Sequence, residues 1–223
     1  HTSVHSVFIT HQLHIKTGLG AMIDALAQRI NYRFINKFST CWIPDYEQPQ
    51  SLAGELSNPK QQPKIKIVRI GGLSRFARCT SAQENHLLII LSGPEPQRSI
   101  LEKKIMAQLQ SYPQNVILVR GLPGNEQAPE TPKNVQVFNH LPAEKLNELI
   151  CAASLVISRC GYTTVMDLMK LQKKCILIPT PGQAEQEYLA QHLQKKQLAY
   201  TVTQNEFSLM QDVSQAERFP FKE

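Results

Sequence analysis

From His86 onward, short apolar runs alternate with amphipathic segments, and this alternation restricts the fold more than any other feature of the chain. The runs lie at His86–Leu91, Asn115–Arg120, Val135–Phe138, Leu155–Ser158, Cys175–Ile178 and Ala199–Thr203. Between them, Ser99–Gln110, Pro142–Ala152, Val165–Met169 and Glu185–Lys195 carry apolar residues at helical spacing. Runs that are apolar throughout suit strands buried on both faces, and intervening helices return the chain for parallel pairing. The expected structure is an α/β fold: a parallel sheet flanked by helices, with ligands at the carboxyl ends of its strands. Ser214–Glu223 carries no readable pattern.

The upstream part is less regular. Val4–Thr10 reads as a strand, and Thr17 to about Lys37 as a helix with Leu19, Met22, Ile23, Leu26 and Ile30 on one face. Thr40–Pro44 and Ile65–Ile70 read as strands around a loop, Tyr46–Pro63, rich in Pro, Gln, Ser and Asn. Gly71-Gly72 and the polar stretch Arg75–Glu84 mark a boundary, giving domains at residues 1–75 and 76–223. The chain opens on His1 rather than Met and enters a strand-like run at once, so a preceding N-terminal portion is expected.

Composition narrows the function classes. No apolar run is long enough to span a bilayer. Five cysteines, an odd number with no C-x-x-C pair, point to reduced thiols in a cytoplasmic protein. The formal charge of +6 favours anionic partners, but the basic residues are scattered. Lys103-Lys104, Lys173-Lys174 and Lys195-Lys196 read as solvated helix faces, and nucleic acid is not an expected partner. His1, His5, His11 and His14 fall in a strand and a loop, where they would not converge on a metal.

The chemistry concentrates in Leu155–Tyr188, LVISRCGYTTVMDLMKLQKKCILIPTPGQAEQEY. Gly161 allows a tight turn, and Thr163 and Thr164 place hydroxyls and N–H groups at a helix start, which attracts anions. Asp167 lies one turn on, and Gln186 and Glu187 open the next helix. Elsewhere, Ser92 and Gly93 of the SGPEPQR loop offer backbone N–H groups to a phosphate, and Arg75 of GGLSR offers a bidentate clamp. His11-Gln12 closes the first strand, where His11 is the candidate base. Singly, each feature equally suits a turn, a surface residue or a helix cap. Together they suit a nucleotide carrying a polar group such as a sugar.

RCGYTTVMD followed by IPTPGQAEQEY resembles the C-terminal domain of family 28 glycosyltransferases. The resemblance runs from about His86 to Gln204 and is traceable upstream through FITHQ and GGLSR. It implies the GT-B architecture of two Rossmann-like domains, the first only partly present here. It also implies that residues 1–75 end an acceptor-side domain and that residues 76–223 bind the donor. By the same resemblance, Arg75, Ser92 and Gly93 contact a diphosphate, and the backbone at Phe138 and Asn139 meets the nucleobase. Gly161, Tyr162, Thr163 and Thr164 form the phosphate-binding helix start. Asp167 takes the ribose hydroxyls, and Gln186 and Glu187 take the donor sugar. Cys160, Asp167 and Glu187 depart from the serine, glutamate and glutamine usual in the family, and the SGPEPQR loop is poorer in glycine. These departures bear on the identity of the sugar.

The implied activity is hexosyl transfer from a UDP-sugar, inverting and metal-independent, with no cofactor. The acceptor would be a glycan, a lipid-linked molecule or a small molecule, and the last two leave room for peripheral association with the inner face of a membrane. This chain alone is expected to bind donor without turnover, because the family takes its base from a part of the N-terminal domain that has no counterpart here. Two alternatives use the same residues: a nucleotide-sugar hydrolase and a non-catalytic nucleotide-binding module.

Overall fold

The computed structural model describes residues 4–78, 86–124 and 127–222. The chain divides into two units between Leu73 and Ser74.

In the first unit, β1 (Val7–Ile9), β2 (Thr40–Ile43) and β3 (Lys66–Arg69) form a parallel sheet in that order. Helix α1 (Ala21–Ile35) crosses between β1 and β2. A small core gathers Leu13, Ile35, Cys41 and Ile43, with Phe8 and Tyr32 packed against it. Phe8 also stacks edge-on to Phe34, with ring centroids 5.8 Å apart. The sequence pattern gathered the apolar residues of α1 on one face, and in this unit that face is largely exposed. Leu19, Met22, Leu26 and Ile30 are all more than half exposed. The opposite face is held to the chain before it instead. The Gln28 side-chain amide donates to the Leu13 carbonyl at 2.6 Å and accepts from the Ile15 N–H at 2.8 Å.

The Pro- and Ser-rich stretch after β2 is ordered around one carboxylate. Asp45, fully buried, accepts from the N–H groups of Tyr46 and Leu52 at 2.8 Å each and from the Ser51 hydroxyl at 2.6 Å. The Ser57 hydroxyl donates to it as well. These bonds hold the Asp45 carboxyl below the usual range, although burial alone would raise it.

The second unit contains β4 (Leu87–Ile90), α2 (Gln97–Leu109), β5 (Val116–Val119), β6 (Val135–Phe138) and α3 (Ala143–Ala152). It continues with β7 (Leu155–Arg159), α4 (Tyr162–Lys170), β8 (Cys175–Ile178), α5 (Ala184–Lys195), β9 (Tyr200–Thr201) and α6 (Leu209–Arg218). The sheet runs β6-β5-β4-β7-β8-β9 with every pair parallel. β7 and β8 are buried along their whole length, as the apolar runs Leu155–Ile157 and Cys175–Ile178 suggest, and in β7 the burial extends to Ser158 and Arg159. Leu101, Ile105 and Leu109 lie one turn apart on α2 and enter the core, each worth about 1.5–3 kcal/mol when fully buried. The first half of the unread C-terminal stretch falls in α6, a helix whose Leu209, Val213 and Ala216 close the same core. Its period was masked by the polar residues between them.

Cys41, Cys160 and Cys175 are free buried thiols, and burial pushes Cys175 up to about 12. Cys151 is disulfide-bonded, which differs from the expectation of reduced thiols throughout.

Candidate functional site

The strand order of the second unit creates a crevice. From β4 the chain moves to one side through β5 and β6, then returns to the other side of β4 as β7. The connections leaving β4 and β7 therefore diverge, and a gap opens between them at the carboxyl ends of the strands. Ile90 pairs in register with Ser158, so Ser92-Gly93 and Cys160-Gly161 leave the sheet side by side. Two residue groups chosen from distant parts of the sequence are thus brought to one switch point.

The Ser92-Gly93 turn is exposed, and Gly93 takes φ of +105°, a conformation that side chains disfavour. The rest of its loop is internally consumed. Arg98 is buried against Glu102 at 3.0 Å and bonds Glu95 at 2.6 Å, while Glu102 also pairs with Arg120. This network braces the start of α2 against the end of β5 and leaves Ser92 and Gly93 at the edge.

Helix α4 begins at Gly161 with no side chain capping it, so the positive end of its dipole is open. Gly161 itself has φ of −76°, and a Cβ added there would meet nothing within 4 Å. Its backbone does not require glycine, contrary to the tight-turn expectation; the missing side chain leaves open space at the helix start. Thr163 is exposed and Thr164 half-buried, while the Tyr162 side chain is turned into the protein and contributes only backbone to the crevice.

Asp167 is 6% exposed, and its Oδ1 has no hydrogen-bond partner. Burial pushes its carboxyl up, partly opposed by the Ser74 hydroxyl, the Arg75 guanidinium and Lys170. Arg75 belongs to the second unit, is exposed, and lies with its guanidinium carbon 5.0 Å from the centre of the Phe76 ring. Arg75 and Asp167 are thus electrostatic neighbours, although 92 positions separate them.

Gln186 and Glu187 brace the loop between β8 and α5. The Gln186 side-chain carbonyl accepts the Thr180 N–H at 3.0 Å, and the Glu187 carboxylate accepts the Gly182 N–H at 3.0 Å. Phe138 and Asn139 end the edge strand β6, two strands from β4, roughly 10 Å across the sheet. Their carbonyls accept from Arg120 and Leu122 at 2.8 Å, and the Asn139 side-chain oxygen accepts from Arg120 at 2.8 Å.

His11 follows β1 in the first unit, whereas every donor candidate belongs to the second. His1 lies outside the described residues. Among the described residues, no three His, Cys, Asp or Glu side chains group as metal ligands do. No described helix is long and apolar enough to cross a membrane.

Two residues at the crevice escaped sequence reasoning. Arg159 ends β7 and is 2% exposed, and Thr180 follows β8, is equally buried, and has an unpartnered hydroxyl. A Cβ on Gly93 would lie 3.9 Å from that hydroxyl, which ties the loop after β8 to the one after β4. For Arg159 a signal existed: a charge closing the apolar run LVIS.

Residues 95–220 match the glycosyltransferase family 28 C-terminal domain. The chain belongs to that family. It is 38% identical over 77 residues to the UDP-N-acetylglucosamine--N-acetylmuramyl-(pentapeptide) pyrophosphoryl-undecaprenol N-acetylglucosamine transferase of Methylobacterium radiotolerans, a match covering 34% of this chain and 18% of that one. It is 33% identical over 111 residues to the same-named protein of Clostridium perfringens, covering 48% and 30% respectively. The matches thus span less than a third of the length of these two relatives. Among solved structures, the glycotransferase of kitacinnamycin superposes with a TM-score of 0.62 at 14% identity, covering 96% of this chain and 64% of the other. MurG of Acinetobacter baumannii superposes at 0.53 and 16% identity, covering 89% and 63%. At these identities the structural likenesses speak for the fold, which is that of GT-B glycosyltransferases. For this family 28 member, the parallel sheets flanked by helices are the expected α/β architecture.

Proposed function

We propose that the second unit is the nucleotide-sugar domain of a hexosyltransferase-type enzyme and that the first unit is the end of its acceptor-side domain. The observation that carries this reading is Asp167. A buried carboxylate with an unpartnered oxygen, one turn inside an uncapped helix at a switch point, suits a ribose hydroxyl beside a phosphate.

In this reading the donor is a UDP-sugar. The N–H groups at the start of α4, the Ser92-Gly93 turn and Arg75 receive the diphosphate, the backbone at Phe138 and Asn139 meets the base, and Gln186 and Glu187 reach the sugar. An acceptor hydroxyl attacks the anomeric carbon from the face opposite the leaving diphosphate. A base takes the hydroxyl proton, the bond to the diphosphate oxygen breaks with its electron pair, and configuration inverts. Fixed dipoles and Arg75 stabilise the charge on the departing UDP, so the step requires no metal. The acceptor is a glycan, a small molecule or a lipid-linked molecule; the last agrees with the undecaprenol named for the relatives and with work at the inner, cytoplasmic face of a membrane.

Calorimetric titration with UDP tests the donor site, with binding expected in the micromolar to millimolar range. No heat of binding would remove it. Assays of a longer form with UDP-sugars, with and without acceptor, test the reaction. Rapid acceptor-independent release of free sugar would favour hydrolysis over transfer, and binding without either activity would favour a non-catalytic module.

A further inference from the structure

Arg159 is a buried cation with no counter-ion among the described residues. Its Nη2 donates to the Gln97 carbonyl and to the Gln204 side-chain oxygen at 2.6 Å each, and its Nη1 reaches the Pro179 carbonyl at 3.4 Å. Its Nε has no partner, and among the described residues no carboxylate pairs with it. Burial lowers its pKa to about 10, so it remains charged at neutral pH. Elsewhere in the unit a buried arginine is neutralised: Arg98 has both Glu95 and Glu102. Sequestering an uncompensated charge is costly, and hydrogen bonds to carbonyls repay only part of that cost.

The place of Arg159 gives the charge a purpose. It ends β7, one of the two switch-point strands, and leads directly into Cys160-Gly161 and α4. The oxygens it gathers belong to three separate connections. Gln97 opens α2 after the Ser92-Gly93 turn, Pro179 follows β8, and Gln204 follows β9. Gln204 also donates to the Gln97 side chain at 2.9 Å, which closes the arrangement. The guanidinium thus ties the floor of the crevice together and neutralises oxygens that would otherwise repel an anion there.

We propose that Arg159 is a positioning residue of the diphosphate subsite. It holds the Ser92-Gly93 turn in register with the start of α4 and supplies a buried positive field whose counter-ion is the donor's diphosphate. This inference rests on the donor-site reading given above.

The test compares UDP with uridine, which lacks the diphosphate, by calorimetry on the full chain. Arg159→Met should weaken UDP by about tenfold or more while changing uridine by less than about twofold, and Arg159→Lys should recover part of the loss. Gln204→Glu provides a second route that keeps the fold, because it supplies the missing carboxylate. It should raise the melting temperature and yet weaken UDP by about fivefold, with uridine unchanged. A purely structural arginine would give the higher melting temperature with UDP affinity intact. Equal weakening of UDP and uridine, or unchanged UDP binding in Gln204→Glu, would overturn the proposal. Failure of the unaltered chain to bind either compound would instead overturn the donor-site reading.

Discussion

Replacing Asp167 with Asn separates the cost of this carboxylate from its use. The side chain is 6% exposed, and burial is the largest influence on its pKa, outweighing Ser74, Arg75 and Lys170. The folded state therefore holds its proton more tightly than the unfolded chain. At low pH both states are protonated and the group is neutral to stability. As pH rises past the ordinary value of 3.8, the unfolded chain ionises first, and stability is lost until the folded group ionises too. At neutral pH the charge thus burdens the fold, so Asp167→Asn should leave the melting temperature unchanged or raise it, within about 1 kcal/mol. Ligand binding should move the other way. A hydrogen bond to a charged acceptor contributes about 1.5–3 kcal/mol, and losing one ribose bond of this kind corresponds to roughly 10- to 150-fold weaker UDP binding. The same logic predicts that UDP affinity falls as pH drops through the raised pKa of Asp167, at higher pH than for an ordinary carboxylate. Thermal melts and calorimetry on the two proteins read both effects. A variant that melts lower and binds UDP normally would refute the reasoning and make Asp167 a structural anchor for Ser74 and Arg75.

Other substitutions probe the surroundings. Gly121 has φ of +72°, and an added Cβ would be driven into the Leu91 carbonyl, so Gly121→Ala should destabilise by about 2 kcal/mol or more in urea titrations. Gly161→Ala should fold within about 1 kcal/mol of the parent, because its backbone suits any residue, yet weaken UDP several-fold by filling the helix start. Glu102→Gln should cost about 3 kcal/mol, since it removes the carboxylate that pairs with Arg120 and leaves the buried Arg98 with Glu95 alone; a loss below about 1 kcal/mol would show the pairs to be weakly coupled.

The fold of the second unit was legible because its central strands are buried on both faces, so the apolar runs at Leu87–Ile90, Leu155–Ser158 and Cys175–Ile178 stand out without any tertiary information. Helix α6 was not, because Leu209, Val213 and Ala216 form a narrow stripe among polar residues. Helix α1 was legible as a helix, but the direction of its apolar face was not. Periodicity identifies a face; it does not say what lies against it. Within the candidate site, Ser92-Gly93, Gly161–Thr164 and Asp167 could be picked out because each sits at a turn or helix start. Thr180 could not, since nothing local distinguishes a buried polar side chain from an exposed one; Arg159 left only the trace of a charge closing the run LVIS, which does not say what the guanidinium meets.

The sequence by itself determined the elements: alternating strands and helices, an uncapped helix start after Gly161, and a carboxylate one turn along it. Those are local properties, set by residue periodicity and backbone chemistry. Only the tertiary structure decided that β7 returns beside β4, and hence that turns 68 positions apart, at Gly93 and Gly161, share one crevice. It also decided that Asp167 and Arg159 are taken out of water, one with an oxygen unpartnered and the other with no counter-ion among the described residues. Burial depends on what the rest of the chain packs against a group, and burial is what makes those two charges costly.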